Sequence, residues 1–257
     1  MTGDHILFHV EDGVAYLTLH RPAKHNAITA AMGDEITRLA KRIDTDPTIK
    51  VLVVQGAGGR AFSRDPDVSA LDDLGTTWDG HACAEYERDY IAALLGLLKP
   101  AIAAIDGHCL CGGLEVTLCC DIRIATPNST FGAPEIQRGW NAGSGNVSIL
   151  QRTIGNGNAA LRLLTGKRAW AEEAHRVGLV QRIVTKDDLL AEAQKIAARI
   201  AKNSPIAVQS AKQDQGTSIA QGLARENDGY TLRMMTEDDR KGMAAFVEKR
   251  EPVFWGR

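Results

Sequence analysis

A glycine pair between an apolar strand and a helix is the feature that most constrains how this chain folds. Residues 100–105 are apolar and predict a buried strand, and Gly112 and Gly113 stand shortly after it, where a helix is predicted to begin. The first turn of that helix carries Glu115. A second carboxylate, Glu135, follows after another predicted strand and a turn, so a fold that brings the two acids together would place both beside the glycine pair.

The start of such a helix has a distinctive chemistry. Its first backbone N–H groups have no acceptor within the helix and carry a partial positive charge, so they suit an oxygen that becomes negative during a reaction. Glycine lets a ligand approach that backbone closely because it has no side chain. With Glu115 and Glu135 as proton-transfer groups, these N–H groups indicate acyl chemistry.

Length, composition and charge exclude several other classes of protein. The 257 residues suffice for one substantial domain with a smaller helical part, and 44% apolar residues are ordinary for a globular protein. A net charge of −2 provides no electrostatic footprint for nucleic acid or an anionic membrane. No apolar run reaches the ~18 residues that span a bilayer, and the N-terminus lacks the build of a signal peptide. We therefore expect a cytoplasmic protein without nucleic-acid or membrane partners.

Four of the five cysteines, Cys109, Cys111, Cys119 and Cys120, lie close together in apolar or glycine-rich sequence. Their spacing matches none of the common zinc patterns, so we interpret them as buried, reduced thiols and expect no metal site. Cys83 stands alone. The sequence therefore indicates no disulfide framework, which agrees with a cytoplasmic location.

The first part of the chain predicts a hairpin, a helix and a buried strand. Residues 6–10 and 14–19 form the predicted hairpin, and Thr29 is expected to cap the following helix. One face of that helix is an apolar stripe made of Met32, Ile36, Leu39, Ala40 and Ile43. Residues 50–55 predict a buried parallel strand, and 56–59 are interpreted as a turn because their glycines lack the spacing of a dinucleotide-binding loop.

Strands and helices alternate further along, which predicts an α/β core, before helices take over. The expected elements here are a polar loop over 63–77, helices over 80–98 and 112–120, and a strand over 121–125. Beyond residue 156 we expect one strand, at 180–184, among helices over 158–165, 171–177, 186–202, 204–222 and 229–248. The C-terminal part is therefore predicted to be helical.

At these motifs the chain resembles the crotonase (enoyl-CoA hydratase/isomerase) family along nearly its whole length. The segments that carry the resemblance are 19–27, 51–57, 99–115, 120–125, 131–135, 164–167, 174–180 and 239–250. Each is modest alone, and their order and spacing make them specific. The resemblance implies a spiral of ββα turns that forms two roughly perpendicular sheets, with a core over residues 1–195 and a C-terminal helical trimerisation region over 196–257.

The resemblance also implies an activity. The substrate would be an acyl-CoA thioester, and the reaction we expect is the addition of water across its 2,3-double bond. Coenzyme A is part of that substrate, so no further cofactor is expected. The family assembles as homotrimers or as hexamers that are dimers of trimers. Two alternatives remain at this point: another crotonase reaction, such as enoyl-CoA isomerisation or acyl-CoA hydrolysis, and a weakly active CoA-binding protein.

The family's functional residues map onto named positions of this chain. Gly112 would donate its N–H to the thioester oxygen, and Glu115 and Glu135 match the two glutamates that hydratases use. A first-turn acid can also serve only the helix dipole, but the pair at this spacing favours catalysis. The positions implied for coenzyme A are Ala23, Lys24 and His25 in one loop, together with Tyr230 and Lys249 in the C-terminal region.

The sequence departs from the family pattern beside the predicted site. The loop that normally supplies a second oxyanion N–H places Pro66 at the donor position, and proline has no N–H. A shifted loop in which Asp67 or Arg64 donates, or a water molecule, would have to substitute for it. Trp140 and Gly143 lie in an altered segment that is expected to line the substrate pocket near Glu135.

Overall fold

The computed structural model has the predicted α/β architecture, with two sheets. It describes residues 5–64, 90–139, 141–203, 205, 208, 209, 211, 212 and 237–250. The strands are β1 (Ile6–Glu11), β2 (Val14–Leu19), β3 (Val51–Gly56), β4 (Ala61–Arg64), β5 (Ala101–Ile105), β6 (His108–Leu110), β7 (Ile122–Ala125), β8 (Thr130–Gly132), β9 (Ala169–Trp170) and β10 (Arg182–Ile183). The α-helices are α1 (Ala30–Thr45), α2 (Tyr90–Leu95), α3 (Gly112–Leu118), α4 (Ser148–Ile154), α5 (Asn156–Thr165), α6 (Ala171–Arg176), α7 (Leu189–Ala201) and α8 (Glu237–Val247). Short 3₁₀ helices lie at Pro22–Lys24 and Pro134–Arg138.

The larger sheet has six strands in the order β1-β2-β3-β5-β7-β10. β1 pairs with β2 in antiparallel orientation, and the other neighbouring strands are parallel. Both faces are covered, because Leu52 and Val54 enter the core that contains α1, whereas Val51 and Val53 enter the core that contains α7. A strand that is buried on both faces needs a continuous apolar sequence, which explains the run at residues 50–55.

The smaller sheet has four short strands in the order β4-β6-β8-β9. β4, β6 and β8 are parallel, and β9 is antiparallel to β8. β6 leads directly to Gly112 and Glu115, and β8 leads directly to Glu135. This sheet therefore positions the predicted site.

The predicted first helix agrees closely with α1. The Oγ1 atom of Thr29 accepts a hydrogen bond from the backbone N–H of Met32, at 3.2 Å, so Thr29 is the predicted cap. The whole apolar stripe of α1 is buried. The predicted helix over 80–98 ends earlier, at Leu95, because the Asp44 carboxylate accepts from the N–H of Leu98 and turns the chain into β5. Residues 80–89 lie outside the described ranges.

The C-terminal region contacts the predicted site directly. α8 packs on the 3₁₀ helix that carries Glu135, with no side chain between the two backbones at Gly242: a Cβ added there would lie 1.5 Å from the carbonyl oxygen of Arg138. The guanidinium of Arg138 lies over the ring of Phe246, 4.3 Å from its centre. The expected boundary between residues 195 and 196 falls within α7. None of the helices that the structure describes has the length and apolarity of a membrane span.

Candidate active site

The two candidate glutamates leave the same edge of the smaller sheet. Leu110 and Gly132 are paired at the ends of the parallel strands β6 and β8, and the N–H of Cys111 donates to the carbonyl of Gly132 at 3.0 Å. Glu115 follows the first strand in the opening turn of α3, and Glu135 follows the second in the 3₁₀ helix. Neighbouring parallel strands thus deliver both acids to one side of the sheet.

The two glycines at the start of α3 have different surroundings. A Cβ added to Gly113 would lie 2.2 Å from the carbonyl oxygen of Ser63, so glycine is required for α3 to rest against β4. Among the described residues, a Cβ added to Gly112 would meet Oε2 of Glu115 and the hydroxyl of Tyr90, each at 3.7 Å. Gly112 therefore faces a notch that these two polar groups border, and its N–H, as the first of the helix, has no acceptor within α3.

Cys111, immediately before the glycine pair, has an unusual backbone. Its φ of 51° and ψ of −120° lie in a region that favours glycine. A residue with a side chain thus occupies a backbone conformation typical of glycine. Its carbonyl accepts the first hydrogen bond of α3, from the N–H of Glu115 at 3.0 Å.

Glu115 has a partner that the sequence analysis did not identify. Nδ2 of Asn146 donates to Oε1 of Glu115 at 3.1 Å, and the same nitrogen lies 3.5 Å from the carbonyl oxygen of Cys111. Asn146 is fully buried, whereas Glu115 is half-buried. The sequence also did not indicate that Tyr90 lies near Gly112. The only signal in the sequence was that Asn146 follows the altered segment containing Trp140 and Gly143.

Glu135 is the second residue of its 3₁₀ helix, directly after Pro134. The residue is buried, with 7% of its surface exposed. An exposed acid would be the rule for a carboxylate that only stabilises a turn, so burial favours a chemical role for this one.

The opposite end of α3 is held by a buried cation. Nε of Arg123 donates to the carbonyl of Leu179, and Nη1 donates to the carbonyls of Thr117 and Cys120. These contacts satisfy carbonyls that the end of a helix leaves open. Arg123 thereby fixes the helix that presents Glu115.

The clustered cysteines are buried thiols, as predicted. Cys109, Cys111, Cys119 and Cys120 are free and buried. Burial raises the pKa of both Cys109 and Cys120 to about 12, so neither forms a thiolate near neutral pH. These thiols therefore pack as small apolar groups. Within the described ranges, no group of three or more His, Cys, Asp or Glu side chains is arranged to hold a metal ion.

The loop predicted to bind coenzyme A docks on the end of β4. Ala23 and Lys24 are exposed and His25 is half-buried, with a φ of 51°. The carbonyl of His25 accepts from the N–H of Arg64 at 3.1 Å. Asn26 is buried beneath the loop and bonds the backbone on both sides of it.

Positive charge surrounds the start of β6. Burial lowers the pKa of His108 below its ordinary value, and the nearby charges of Arg64, Arg168 and His25 act in the same direction. Nδ1 of His108 lies 2.8 Å from Oγ1 of Thr130, so the partner of this histidine is a side chain. His108 is therefore neutral near neutral pH.

Four predicted site residues fall outside the part of the chain that the structure describes, and a fifth lies beside Asn146. Pro66, Asp67, Trp140 and Tyr230 lie outside the described residues. Gly143 is buried, and its carbonyl accepts from the N–H of Asn146 at 2.9 Å, which places it in the turn that presents Asn146.

Lys249 follows α8 and is exposed, with a φ of 54°. It lies after the helix that packs on the Glu135 segment.

Comparison with known proteins decides the family. The family model described as enoyl-CoA hydratase/isomerase matches residues 9–257. The chain belongs to the enoyl-CoA hydratase/isomerase family. YngF of Bacillus subtilis is 38% identical over 260 residues, which are 99% of each chain, and the crotonyl-CoA hydratase of Syntrophomonas wolfei is 33% identical over 258 residues, again 99% of each. Among solved structures, the carnitinyl-CoA hydratase of Mycobacterium avium superposes with a TM-score of 0.89, at 29% identity and 99% coverage of both chains.

These relationships confirm the fold and the family that the sequence motifs implied. Members of the enoyl-CoA hydratase/isomerase family match this chain from end to end, so the α/β structure with two sheets is the crotonase fold. The chain is accordingly an enzyme of the hydratase type.

Proposed function

We propose that this enzyme adds water across the 2,3-double bond of an enoyl-CoA thioester. The observation that carries the proposal is the shared edge of the smaller sheet, where Glu115 and Glu135 follow neighbouring strands and Gly112 begins the helix that carries Glu115. Relatives named for crotonyl-CoA and carnitinyl-CoA hydration support the same reaction class.

The first task of the site is to polarise the thioester. The N–H of Gly112 donates to the thioester oxygen, which withdraws electron density from the conjugated double bond and makes its β-carbon electrophilic. Negative charge then develops on that oxygen as water attacks. A donor fixed at the start of a helix stabilises this charge without having to reorganise.

The second task is to move two protons. One glutamate, ionised, holds a water molecule and takes its proton as the water oxygen bonds to the β-carbon. The other, protonated, gives a proton to the α-carbon as the enolate collapses back to the thioester. One hydrogen and one hydroxyl group are thereby added. Two carboxyls that share a water molecule tend to differ in proton affinity, so one can act as the acid while the other acts as the base.

The resemblance implies a second backbone N–H that donates to the thioester oxygen. Whether this chain supplies such a donor determines how strongly it can catalyse the reaction. Pro66 occupies that position and cannot donate. We propose that the N–H of Asp67 or a water molecule replaces it, because the N–H of Arg64, the other candidate, already donates to the carbonyl of His25. Loss of one donor costs about 2.7–4 kcal/mol of transition-state stabilisation, so a CoA-binding protein with little turnover is the alternative outcome. Isomerisation and thioester hydrolysis are the other reactions that the same carboxylates could support.

Coenzyme A binding is proposed for the loop with Ala23, Lys24 and His25, with Tyr230 and Lys249 at the adenine end. Lysine suits the phosphates because it carries a compact positive charge. No cofactor beyond the coenzyme A of the substrate is proposed, and the location proposed is the cytoplasm.

We propose assembly as a homotrimer or a dimer of trimers, with the region beyond residue 195 contributing to contacts between subunits. Large apolar side chains face solvent in the single subunit both in this region and shortly before it, as a subunit interface would require. They are Leu161, Leu164, Trp170, Phe246 and Val247.

The direct test is a turnover assay with purified enzyme. Crotonyl-CoA is added, and loss of the ultraviolet absorbance of the conjugated thioester is followed while the products are identified by mass spectrometry. Appearance of the 3-hydroxyacyl-CoA, heavier by one water, supports hydration. A positional isomer or free coenzyme A would assign one of the alternative reactions, and unchanged substrate across a panel of enoyl-CoA chain lengths would overturn the proposal.

A further inference from the structure

The carboxylate of Glu115 has two oxygens in different environments. Oε1 accepts a hydrogen bond from Nδ2 of Asn146 at 3.1 Å. Oε2 lies 3.7 Å from the position that a Cβ on Gly112 would occupy, and the hydroxyl of Tyr90 lies at the same distance from that position. Asn146 therefore binds one oxygen of Glu115, and the other lies near Gly112 at the start of α3.

The orientation of the Asn146 amide follows from its neighbours. Its nitrogen lies near two acceptors, Oε1 of Glu115 and the carbonyl oxygen of Cys111 at 3.5 Å. The reversed orientation would direct a third oxygen at these two, and the repulsion would be strong at a fully buried position. The amide therefore presents N–H groups to Glu115.

The backbone holds Asn146 in this position independently of Glu115. Its own N–H donates to the carbonyl of Gly143 at 2.9 Å, and the N–H of Ile149 donates to the carbonyl of Gly145 at 2.8 Å as α4 begins. The side chain thus projects from a closed turn at the start of a helix. A buried group that is fixed in this way can orient a neighbour without itself moving.

We propose that Asn146 is a positioning residue that occupies Oε1 of Glu115 and thereby assigns proton transfer to Oε2. An amide N–H can only donate, so Oε1 remains an acceptor and the proton of Glu115 resides on Oε2, above Gly112. This inference rests on the proposed function, because it specifies which oxygen of a proposed proton-transfer group reacts. Asn146 acts through Glu115 and does not touch the substrate.

The test compares Asn146→Asp and Asn146→Leu, which preserve the approximate shape and remove the donor. We expect each to lower kcat for crotonyl-CoA hydration about 10-fold to 100-fold, the usual effect of losing one hydrogen bond to a charged group. KM, and the Kd for the saturated analogue butyryl-CoA, should change less than about threefold because binding of the thioester is left intact. The matched control is Asn158→Leu, which removes a side-chain hydrogen bond to the carbonyl of Ile154 far along the chain from Glu115 and should leave kcat unchanged.

A second measurement separates positioning from a general structural effect. In a Glu115→Gln background the carboxylate is gone, so Asn146→Leu should cost less than about threefold in the residual kcat. If the fold-decreases in kcat of Glu115→Gln and Asn146→Leu multiply in the double variant, the inference is overturned. Asn146 single variants with the kcat of wild type would overturn it as well.

Failure of the proposed function gives a different result from failure of this inference. If wild-type enzyme hydrates enoyl-CoA and the Asn146 variants do so equally well, the inference fails and the function stands. If wild type turns over no enoyl-CoA, the function fails, and crystal structures of wild type and Asn146→Leu still test the inference. A Glu115 carboxylate that rotates in the variant supports it, and one that keeps its orientation overturns it.

Discussion

The carbonyl oxygen of Ser63 lies 2.2 Å from the point where a Cβ on Gly113 would be. This is a contact between the end of strand β4 and the first turn of helix α3, with no side chain between them. Because both partners are backbone, neither can move aside as a flexible side chain would. The position of α3, and with it that of Glu115, depends on this close approach.

Gly113→Ala should therefore destabilise the protein by about 1–3 kcal/mol, the usual cost of overpacking a core. The added methyl group must push α3 away from β4. Thermal and urea unfolding measure the loss. Gly157→Ala is the matched control, because a Cβ there meets nothing within 4 Å and the position lies inside helix α5. Equal stability of the two variants would contradict the packing described here.

Gly112→Ala should lower activity and leave stability intact, in contrast to Gly113→Ala. Its methyl group would lie 3.7 Å from both Oε2 of Glu115 and the hydroxyl of Tyr90, an ordinary contact distance to the described residues, so folding should be preserved. The same methyl group occupies the space proposed for the thioester, so kcat/KM for crotonyl-CoA should fall at least ~100-fold. A stable variant with wild-type turnover would show that the thioester binds elsewhere.

Glu115→Gln and Glu135→Gln should each reduce kcat by about 10²–10⁴-fold, because each removes one group that transfers a proton. Steady-state hydration kinetics provide the measurement. Glu172→Gln, at an exposed position in α6, serves as the control and should have no effect. If both variants retain activity, the two carboxylates do not perform the chemistry.

Asn26→Ala should destabilise the loop proposed to bind coenzyme A. Nδ2 of Asn26 donates to the carbonyls of Ala57 and Ala61, at 2.9 and 2.8 Å, and Oδ1 accepts from the N–H of Arg21 at 2.8 Å. Leaving these groups without a partner should cost about 2–3 kcal/mol in unfolding free energy and raise KM. Asn203→Ala, at an exposed position, should do neither. An unchanged KM in a destabilised Asn26 variant would separate the loop from coenzyme A binding.

His108 makes the stability of the protein depend on pH. Its pKa in the folded state lies below the ordinary value of 6.5, so the unfolded chain binds this proton more readily. The contribution of neutral His108 is complete above that value and is lost as the pH falls below it. Melting temperatures between pH 8 and pH 5 should therefore decline more steeply for wild type than for His108→Gln. Parallel curves would contradict this linkage.

Local features of the fold could be predicted from the sequence. Thr29 caps α1 and the apolar stripe of that helix is buried, because a cap and a periodic face depend on residues within a few turns. Placement of Glu115 in the first turn of a helix was correct for the same reason. The pairing of this residue with Glu135 came from the family resemblance and not from the local sequence.

Contacts between distant segments could not be predicted in this way. β4, β6, β8 and β9 contain two to four residues each and are stabilised by their neighbours, so their own sequences carry little strand signal. The hydrogen bond from Asn146 to Glu115 joins residues 31 positions apart. Its donor follows a segment in which the family pattern is altered, and only the three-dimensional fold shows what the asparagine contacts.

The last described helix, α8, rests on the 3₁₀ helix of Glu135 through the bare backbone at Gly242. Two elements in such contact cannot be displaced separately. Any ligand, neighbouring subunit or proteolytic cut that lifts the carboxyl-terminal helix also removes the support behind one of the two acids. The position of α8 is thus mechanically coupled to Glu135, which we propose to transfer a proton, so catalytic turnover should report whether this helix is in place.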